Sequence, residues 1–339
     1  MNYVTLGATG LHISRLSLGA MTFGAGSGIW GNIAGVDLNE AIRLTAIAAE
    51  QGVNLIDTAD VYSQGLSEEI VGQVIKALSL DETKMLVATK VRLRTGPGHN
   101  QAGLGRSHII RSVDTSLRRL GRDHIDLLQL HDRDALVPLD ETLRVLDDLV
   151  TQGKVRHIGA CNFSSADLER ASAYSTRTDR APIVSNQVHY ALTCRDVEHD
   201  LVSVSASLSM GLLVWSPLAG GYLSGKYANT APSSGRRSKL DFPPVDQVMG
   251  RRILEALTDV ADSLEVSPAQ VAIAWLLAKR AVASVIVGAR TPQQLALNLD
   301  AGNIELSASH VAVLDEVSQS SLPYPYWMQR FHDKDRVLP

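Results

Sequence analysis

Eight short apolar runs, at residues 16–18, 54–56, 85–89, 125–130, 157–160, 184–188, 212–215 and 285–287, end at or beside a residue of different character: Gly19, Asp57, Lys90, His131, Asn162, Gln187, Ser216 and Gly288. Six of these eight carry a side chain that ionises or hydrogen bonds. A polar group set against apolar chain costs free energy unless it finds a partner, so this many at equivalent places require a reason. Taken singly, each reads as a satisfied structural residue. Together they read as a site. Asp57, Lys90 and His131 can hold or pass a proton, while Asn162, Gln187 and Ser216 can orient a polar ligand by hydrogen bonds.

The runs alternate with amphipathic stretches whose starts are marked. Asp37 and Glu40 have capping-box spacing, and Ser267-Pro268-Ala269-Gln270 sets a cap, a first-turn proline and a capping glutamine in order. Thr291-Pro292-Gln293-Gln294 repeats that order, and Gly52, Gly153 and Gly211 stand where left-handed helix ends are expected. Strand, helix, strand with short connections implies parallel pairing and right-handed crossovers. Eight such units in 339 residues predict an α/β fold, the (β/α)8 TIM barrel, with an open doubly wound sheet as the competing architecture. No proline-rich or low-complexity linker divides the chain, so residues 1–339 are expected to form a single domain. Residues 1–15 are expected to form a β-hairpin closing the barrel bottom. Three segments fall outside the repeat: the glycine-rich stretch 24–36 with Trp30, residues 229–247 as an expected mobile loop, and the tail 320–339. The tail's Tyr324, Tyr326, Trp327 and Phe331 are expected over the barrel mouth, where long aromatic loops commonly act as lids or specificity elements.

A net charge of −4, with basic residues in short pairs such as Arg118–Arg119 and Arg236–Arg237 rather than in runs, offers no concentrated basic surface, so no nucleic-acid partner is expected. No apolar run approaches the roughly 20 residues that span a bilayer. The N-terminus lacks a basic start followed by an apolar core, so a cytoplasmic protein without a membrane partner is expected. Cys161 and Cys194 are too few for a disulfide framework or a sulfur-ligated zinc, and both are expected to stay reduced. The ten histidines lack metal-ligand spacing, so no metal is expected. Gly7 and Gly10 open like a dinucleotide fingerprint, but the third small residue is replaced by Ile13. The stretch from Gly220 to Lys226 nearly matches a P-loop, but Tyr227 follows the lysine and cannot hold magnesium as Ser or Thr would. Asn162-Phe163-Ser164 is a formal glycosylation sequon, without meaning in a cytoplasmic chain.

Asn54-Leu55-Ile56-Asp57-Thr58-Ala59-Asp60-Val61-Tyr62, a strand-end aspartate with a tyrosine five residues on, resembles the signature of the aldo-keto reductase family. Lys90 in Val87-Ala88-Thr89-Lys90 and His131 in Ile125-Asp126-Leu127-Leu128-Gln129-Leu130-His131 resemble that family's lysine and histidine. Further agreement comes from Gly153-Lys154-Val155-Arg156-His157-Ile158-Gly159, Trp215-Ser216-Pro217-Leu218 and Gly288-Ala289-Arg290. The likeness runs in order from about Tyr3 to Leu314. It implies a reversible NADPH-dependent reduction of an aldehyde or ketone, with Asp57, Tyr62, Lys90 and His131 as catalytic residues. Tyr62 would protonate the forming alkoxide. A free tyrosine, with a pKa of about 10, is a reluctant donor and a poor base. The Lys90 ammonium is expected to lower that value, with Asp57 holding Lys90 charged. His131 would donate a hydrogen bond to the carbonyl and stabilise the developing charge.

The resemblance also implies NADP(H) lying across the barrel mouth without a Rossmann unit. Asn162 and Gln187 would hold the carboxamide, and Trp215 would stack on the nicotinamide. Ser216, Pro217, Leu218, Gly220 and Lys226 would wrap the pyrophosphate, with Gly19 and Met21 on the other side. Gly288, Arg290, Gln294 and Asn298 would bind the adenosine end, where a forked guanidinium suits a 2′-phosphate. The chain departs from the family at Cys161, where serine is frequent, and at Leu297, where an acidic residue is frequent. Cys161 reads as a packed thiol rather than a nucleophile. Trp30 and His131 are expected to face the substrate. With His189 and the tail they imply aromatic walls for a small carbonyl or alcohol, such as a sugar, a steroid-like ketone, pyridoxal or an aromatic aldehyde. The alternative is a cofactor-binding regulatory subunit similar to the potassium-channel β subunits of the same superfamily; the lack of an N-terminal extension argues against it. A barrel enzyme using Lys90 as a Schiff base is weaker still. Exterior helices leave a homo-oligomer open.

Overall fold

The computed structural model describes residues 1–226, 237 and 240–336. Strands β1 (Tyr3–Thr5) and β2 (His12–Ser14) form an antiparallel hairpin. Strands β3 (Leu16–Gly19), β4 (Leu55–Asp57), β5 (Leu86–Val91), β6 (Ile125–Leu130), β7 (Val155–Cys161), β8 (Ile183–His189), β9 (Gly211–Trp215) and β10 (Val282–Val287) follow. These eight pair in chain order, all parallel, and β10 returns to β3, so the fold is a closed (β/α)8 TIM barrel. The open-sheet alternative is excluded by the β10–β3 pairing. Around it stand α1 (Ile29–Ile33), α2 (Leu38–Glu50), α3 (Leu66–Ala77), α4 (Arg106–Leu120), α5 (Leu139–Thr151), α6 (Ser165–Thr178), α7 (Leu201–Ser207), α8 (Gln247–Ser263), α9 (Pro268–Leu277), α10 (Pro292–Asp300) and α11 (Ala308–Val317).

The continuous apolar runs become strands because a barrel strand is buried on both faces. Outward residues such as Ile56, Val87 and Leu128 pack under the helices. Inward residues Leu55, Leu86, Ala88, Leu127, Val184, Leu213, Ala283 and Ile286 fill the strand-start end of the lumen, joined by Leu6 and Ile13 from the hairpin. Nearer the strand ends the lumen turns polar.

Local signals set the helix ends. The Asp37 side chain accepts from Glu40 N at 2.9 Å, and Ser267 with Gln270 forms a complete capping box. Gly52 and Gly153 take positive φ (84° and 73°). Gly211 does not end a helix. Ser209 takes the left-handed turn (φ 53°), and Gly211 opens β9, where a Cβ would stand 2.9 Å from Leu6 Cδ1.

The stretch 24–36 holds the short helix α1, tied to the barrel by Arg290, whose Nη2 donates to the carbonyls of Asn32 (2.9 Å) and Ile33 (3.0 Å). Of the loop 229–247, residues 229–236 and 238–239 lie outside the described residues, and Gln247 already belongs to α8. Arg237 donates to the carbonyls of Ala219 and Pro243, and Phe242 stacks on Trp215 with ring centroids 5.9 Å apart. The tail forms α12 (Tyr326–His332). Its Tyr326 stacks on His199, in the connection from β8 to α7, at 5.5 Å, while Tyr324, Trp327 and Phe331 stand exposed. Among the described residues, no helix is long and apolar enough to cross a membrane.

Candidate active site

Asp57 ends β4 and Lys90 lies near the end of β5, so the barrel curvature brings both side chains into the lumen. The buried Lys90 ammonium donates to Asp57 Oδ2 at 2.5 Å, to the Thr58 carbonyl at 2.8 Å and to Tyr62 Oη at 3.1 Å. An ammonium has three protons, and all three are used. Tyr62 is presented by the 3-10 turn Tyr62–Gly65, in which Ser63 and Gln64 both have positive φ (51° and 58°). Non-glycine residues adopt that conformation at a cost, and it persists where surrounding contacts enforce it. Ser63 Oγ donates to the Phe23 carbonyl at 3.1 Å, and Gly65 (φ 98°) leaves the space that the Arg119 guanidinium fills. His131, one residue past β6, sits edge-on to the Tyr62 ring at 5.7 Å, and Trp30 lies 5.7 Å from the same ring. The structure thus brings Asp57, Tyr62, Lys90, His131 and Trp30 together.

Burial pushes the Tyr62 phenol above its ordinary pKa; the Lys90 charge pulls it back without prevailing. The expectation of a net lowering is therefore corrected: desolvation outweighs the ammonium, and Tyr62 keeps its proton at neutral pH. For Lys90 burial opposes the charge, but the Asp57 carboxylate outweighs it and raises the pKa. A lysine held charged, with its protons directed at Asp57, Thr58 and Tyr62, is a poor nucleophile, which disfavours the Schiff-base alternative. His131 is held well below its ordinary value, first by burial and then by Lys90 and Arg92, so its imidazole is neutral, with one nitrogen able to donate and the other to accept. Burial likewise raises the Cys161 thiol, whose Sγ donates to Gln129 Oε1 at 3.7 Å. It is a packed thiol.

The aldo/keto reductase family model matches residues 15–319. The chain belongs to the aldo/keto reductase family. Membership makes it an oxidoreductase by family. It is 34% identical to a probable voltage-gated potassium channel subunit beta of Arabidopsis thaliana over 328 residues, covering 94% of this chain and 96% of that protein. A putative voltage-gated potassium channel subunit beta of Schizosaccharomyces pombe is 33% identical over 305 residues, with 87% and 86% covered. The uncharacterized oxidoreductase YrpG of Bacillus subtilis is 32% identical over 326 residues, with 94% and 96% covered.

The nicotinamide end of a dinucleotide can be tested against this aldo/keto reductase's own donors and acceptors. Gln187 Nε2 donates to Asp57 Oδ1 (2.8 Å) and Gln129 Oε1 (3.0 Å), which spends both its protons and leaves its carbonyl oxygen. Asn162 Oδ1 accepts from the Trp215 indole N–H (3.0 Å), and its Nδ2 donates once, to the His131 carbonyl (3.3 Å), which leaves one N–H. One acceptor beside one donor complements a primary carboxamide. The residues fit the group. Trp215, half-buried, also stacks on His189 at 4.6 Å.

Beyond β9 the loop turns on positive φ at Ser216, Ala219, Gly220 and Gly221, and Ser216 Oγ accepts from Gly220 N at 3.0 Å. Pro217 is buried, Leu218 half-buried and Lys226 exposed in that segment. Gly19 pairs with Asp57 across β3–β4, where a Cβ would stand 2.9 Å from Ile286 Cγ2; Met21 beside it is half-buried. Gln294 Oε1 accepts from Arg290 N (3.1 Å) and Asn298 Nδ2 donates to the Gly288 carbonyl (3.5 Å), so both brace the turn that carries Arg290.

Sequence reasoning missed three features of the site: Gln129, Phe242 on Trp215, and a buried acidic pair behind Lys90. Glu68 accepts from Thr89 Oγ1 (2.6 Å) and Arg119 Nη1 (3.1 Å), and the same Nη1 donates to the Asp60 carbonyl (3.2 Å). Burial first, then Glu68, pushes the Asp60 carboxyl up to about 8, against Ser112, Arg119 and Lys90. Its folded pKa lies above the unfolded value of about 3.9. The stability it contributes is therefore full below about pH 4 and lost as pH rises through about 8. Asp60→Asn is expected to gain on the wild type over that window, measured as denaturant midpoints at a series of pH values; a constant gap would contradict the assignment.

Proposed function

We propose that the chain reduces an aldehyde or ketone to the alcohol with NADPH, reversibly. The observation that carries this reading is the Lys90 ammonium, bonded at once to Asp57, Thr58 and the Tyr62 hydroxyl, with a neutral His131 against the same phenol. NADPH, when bound, supplies the hydride. Tyr62 gives its phenolic proton to the carbonyl oxygen, and Lys90 stabilises the phenolate left behind. Asp57 keeps Lys90 charged and aimed. His131 donates a hydrogen bond to the same oxygen as negative charge develops there. In the reverse direction the Tyr62 phenolate accepts the alcohol proton.

The Asn162 N–H and the Gln187 oxygen would hold the carboxamide and the Trp215 ring the nicotinamide face. Ser216, Pro217, Leu218, Gly220 and Lys226 would take the phosphates, and Gly19 and Met21 the opposite wall. Gly288, Arg290, Gln294 and Asn298 would take the adenosine end. Trp30, His131 and His189 favour a substrate with a flat or aromatic face. A cytoplasmic place and a homo-oligomeric state belong to the same proposal. The test is a panel of carbonyl compounds and alcohols assayed with NADPH and NADH side by side. No turnover together with no nucleotide binding would sink the reading.

Arg290 supplies a forked charge at the adenosine end, so Arg290→Leu is expected to lower the preference for NADPH over NADH by about ten-fold or more. An unchanged ratio of the two kcat/KM values would remove Arg290 from that role. The second reading, a cofactor-binding regulatory subunit, is favoured by the names of two of the relatives reported above. Tight NADP(H) binding without turnover of any panel compound, together with co-purification of a potassium channel, would select it.

A further inference from the structure

We infer that Gln129 is a positioning residue of this site, an amide that locks Asp57 onto Lys90 and fixes which face of the Gln187 amide is presented to the nucleotide. The inference rests on the reductase reading for its chemistry and on geometry for its content. Gln129 lies on β6, in register with Lys90 on one side and Gly159 on the other, and is fully buried. Its Nε2 donates to Asp57 Oδ1 at 2.9 Å, and its Oε1 accepts from Gln187 Nε2 at 3.0 Å and from Cys161 Sγ at 3.7 Å. These three bonds go to side chains of the site, none to the backbone.

The direction of each bond is forced. Asp57 is a carboxylate and accepts only, so Gln129 must turn its NH2 toward it. The Gln129 oxygen then points at Gln187 and Cys161, which must donate. Gln187 spends its second proton there, and its own oxygen is left as the acceptor that a carboxamide NH2 requires. A leucine at this place would fill the lumen without any desolvation cost, whereas a buried amide is tolerated only when bonded. Room for it is reserved as well: a Cβ on Gly159 would stand 3.0 Å from Gln129 Cγ and 2.7 Å from Ser185 Oγ. With Gln129 and Gln187 both on Oδ1, the Asp57 carboxylate cannot rotate, and Oδ2 stays on the Lys90 ammonium that touches Tyr62.

The test uses Gln129→Met, similar in length and unable to donate, and Gln129→Glu, isosteric and acceptor-only when ionised. Either variant that folds gives the answer. With fluorotyrosine-labelled protein, the Tyr62 resonance is assigned by its absence in Tyr62→Phe and followed against pH by fluorine NMR without cofactor or substrate. A loosened Asp57 holds Lys90 less firmly, so the Tyr62 resonance is expected to shift and its ionisation to move about one pH unit higher, a ten-fold change in the constant. In turnover, kcat is expected to fall about ten-fold with KM for the carbonyl little changed. A folded variant whose Tyr62 resonance and ionisation match the wild type overturns the inference, even if kcat falls, because that pattern belongs to a merely structural residue. A wild-type chain inactive toward every carbonyl removes the reductase reading alone; the resonance, needing no turnover, still decides on Gln129.

Discussion

Tyr62→Phe is expected to lower carbonyl reduction by about a hundred- to ten-thousand-fold, the range a positioned general acid contributes, while nucleotide affinity stays near the wild-type value. The substitution removes one oxygen. The ring keeps its edge contact with His131 and its contact with Trp30, both at 5.7 Å, so the pocket wall survives. Lys90 loses one of its three acceptors and keeps Asp57 and Thr58, a change worth about 1 kcal/mol of stability. Thermal unfolding should therefore move little while turnover collapses. The pH behaviour has a definite sign. Burial holds the Tyr62 pKa above its ordinary value, so reduction stays flat through neutrality as far as this group is concerned, and alcohol oxidation rises with pH. Steady-state rates in both directions, with nucleotide binding measured separately, check this. Turnover within ten-fold of the wild type would mean that another group donates the proton.

The barrel was legible because its signals are local. A strand buried on both faces writes itself as an apolar run, and the residue that breaks the run at its end is the one that faces the mouth. Asp57, Lys90 and His131 could be found in this way. Gln129 left a fainter mark, one polar residue between Leu128 and Leu130, and its meaning depends on partners as distant as Asp57, 72 residues away. The Gln187–Asp57 bond spans 130 residues, and which way each amide turns is decided by the acceptor-only carboxylate between them. Arg290 shows the same limit: its charge was legible, its hold on the carbonyls of Asn32 and Ile33 was not. The balance at Tyr62 is hidden from the sequence for a related reason. The charge of a neighbouring lysine can be read from the sequence, but the depth of burial that outweighs it cannot. Gly211 reads as a helix end in the sequence because nothing in its surroundings announces that Leu6 arrives there.

Lys90→Met should cost both stability and chemistry, and the two losses can be separated. The Asp57 and Lys90 side chains are 6% and 0% exposed, so removing the ammonium leaves a carboxylate in the lumen with amide donors alone. Breaking a buried pair in this way costs about 3–5 kcal/mol, which lowers Tm by roughly 4–7 °C in a chain of this size. Turnover should fall by about a hundred-fold or more, because the phenolate formed at Tyr62 loses the charge that stabilises it. Adding Asp57→Asn removes the stranded carboxylate. The double variant should therefore recover much of the lost Tm and none of the lost turnover. That outcome follows from the general weakness of buried pairs as stabilisers: replacing both partners by neutral groups is often neutral or better, whereas removing one is not. An ion pair that can be deleted at little net cost in stability, yet not without loss of turnover, is kept for what it does to Tyr62. A Lys90→Met chain that unfolds where the wild type does would contradict this, for it would mean that Gln129 and Gln187 compensate the Asp57 charge without help from Lys90.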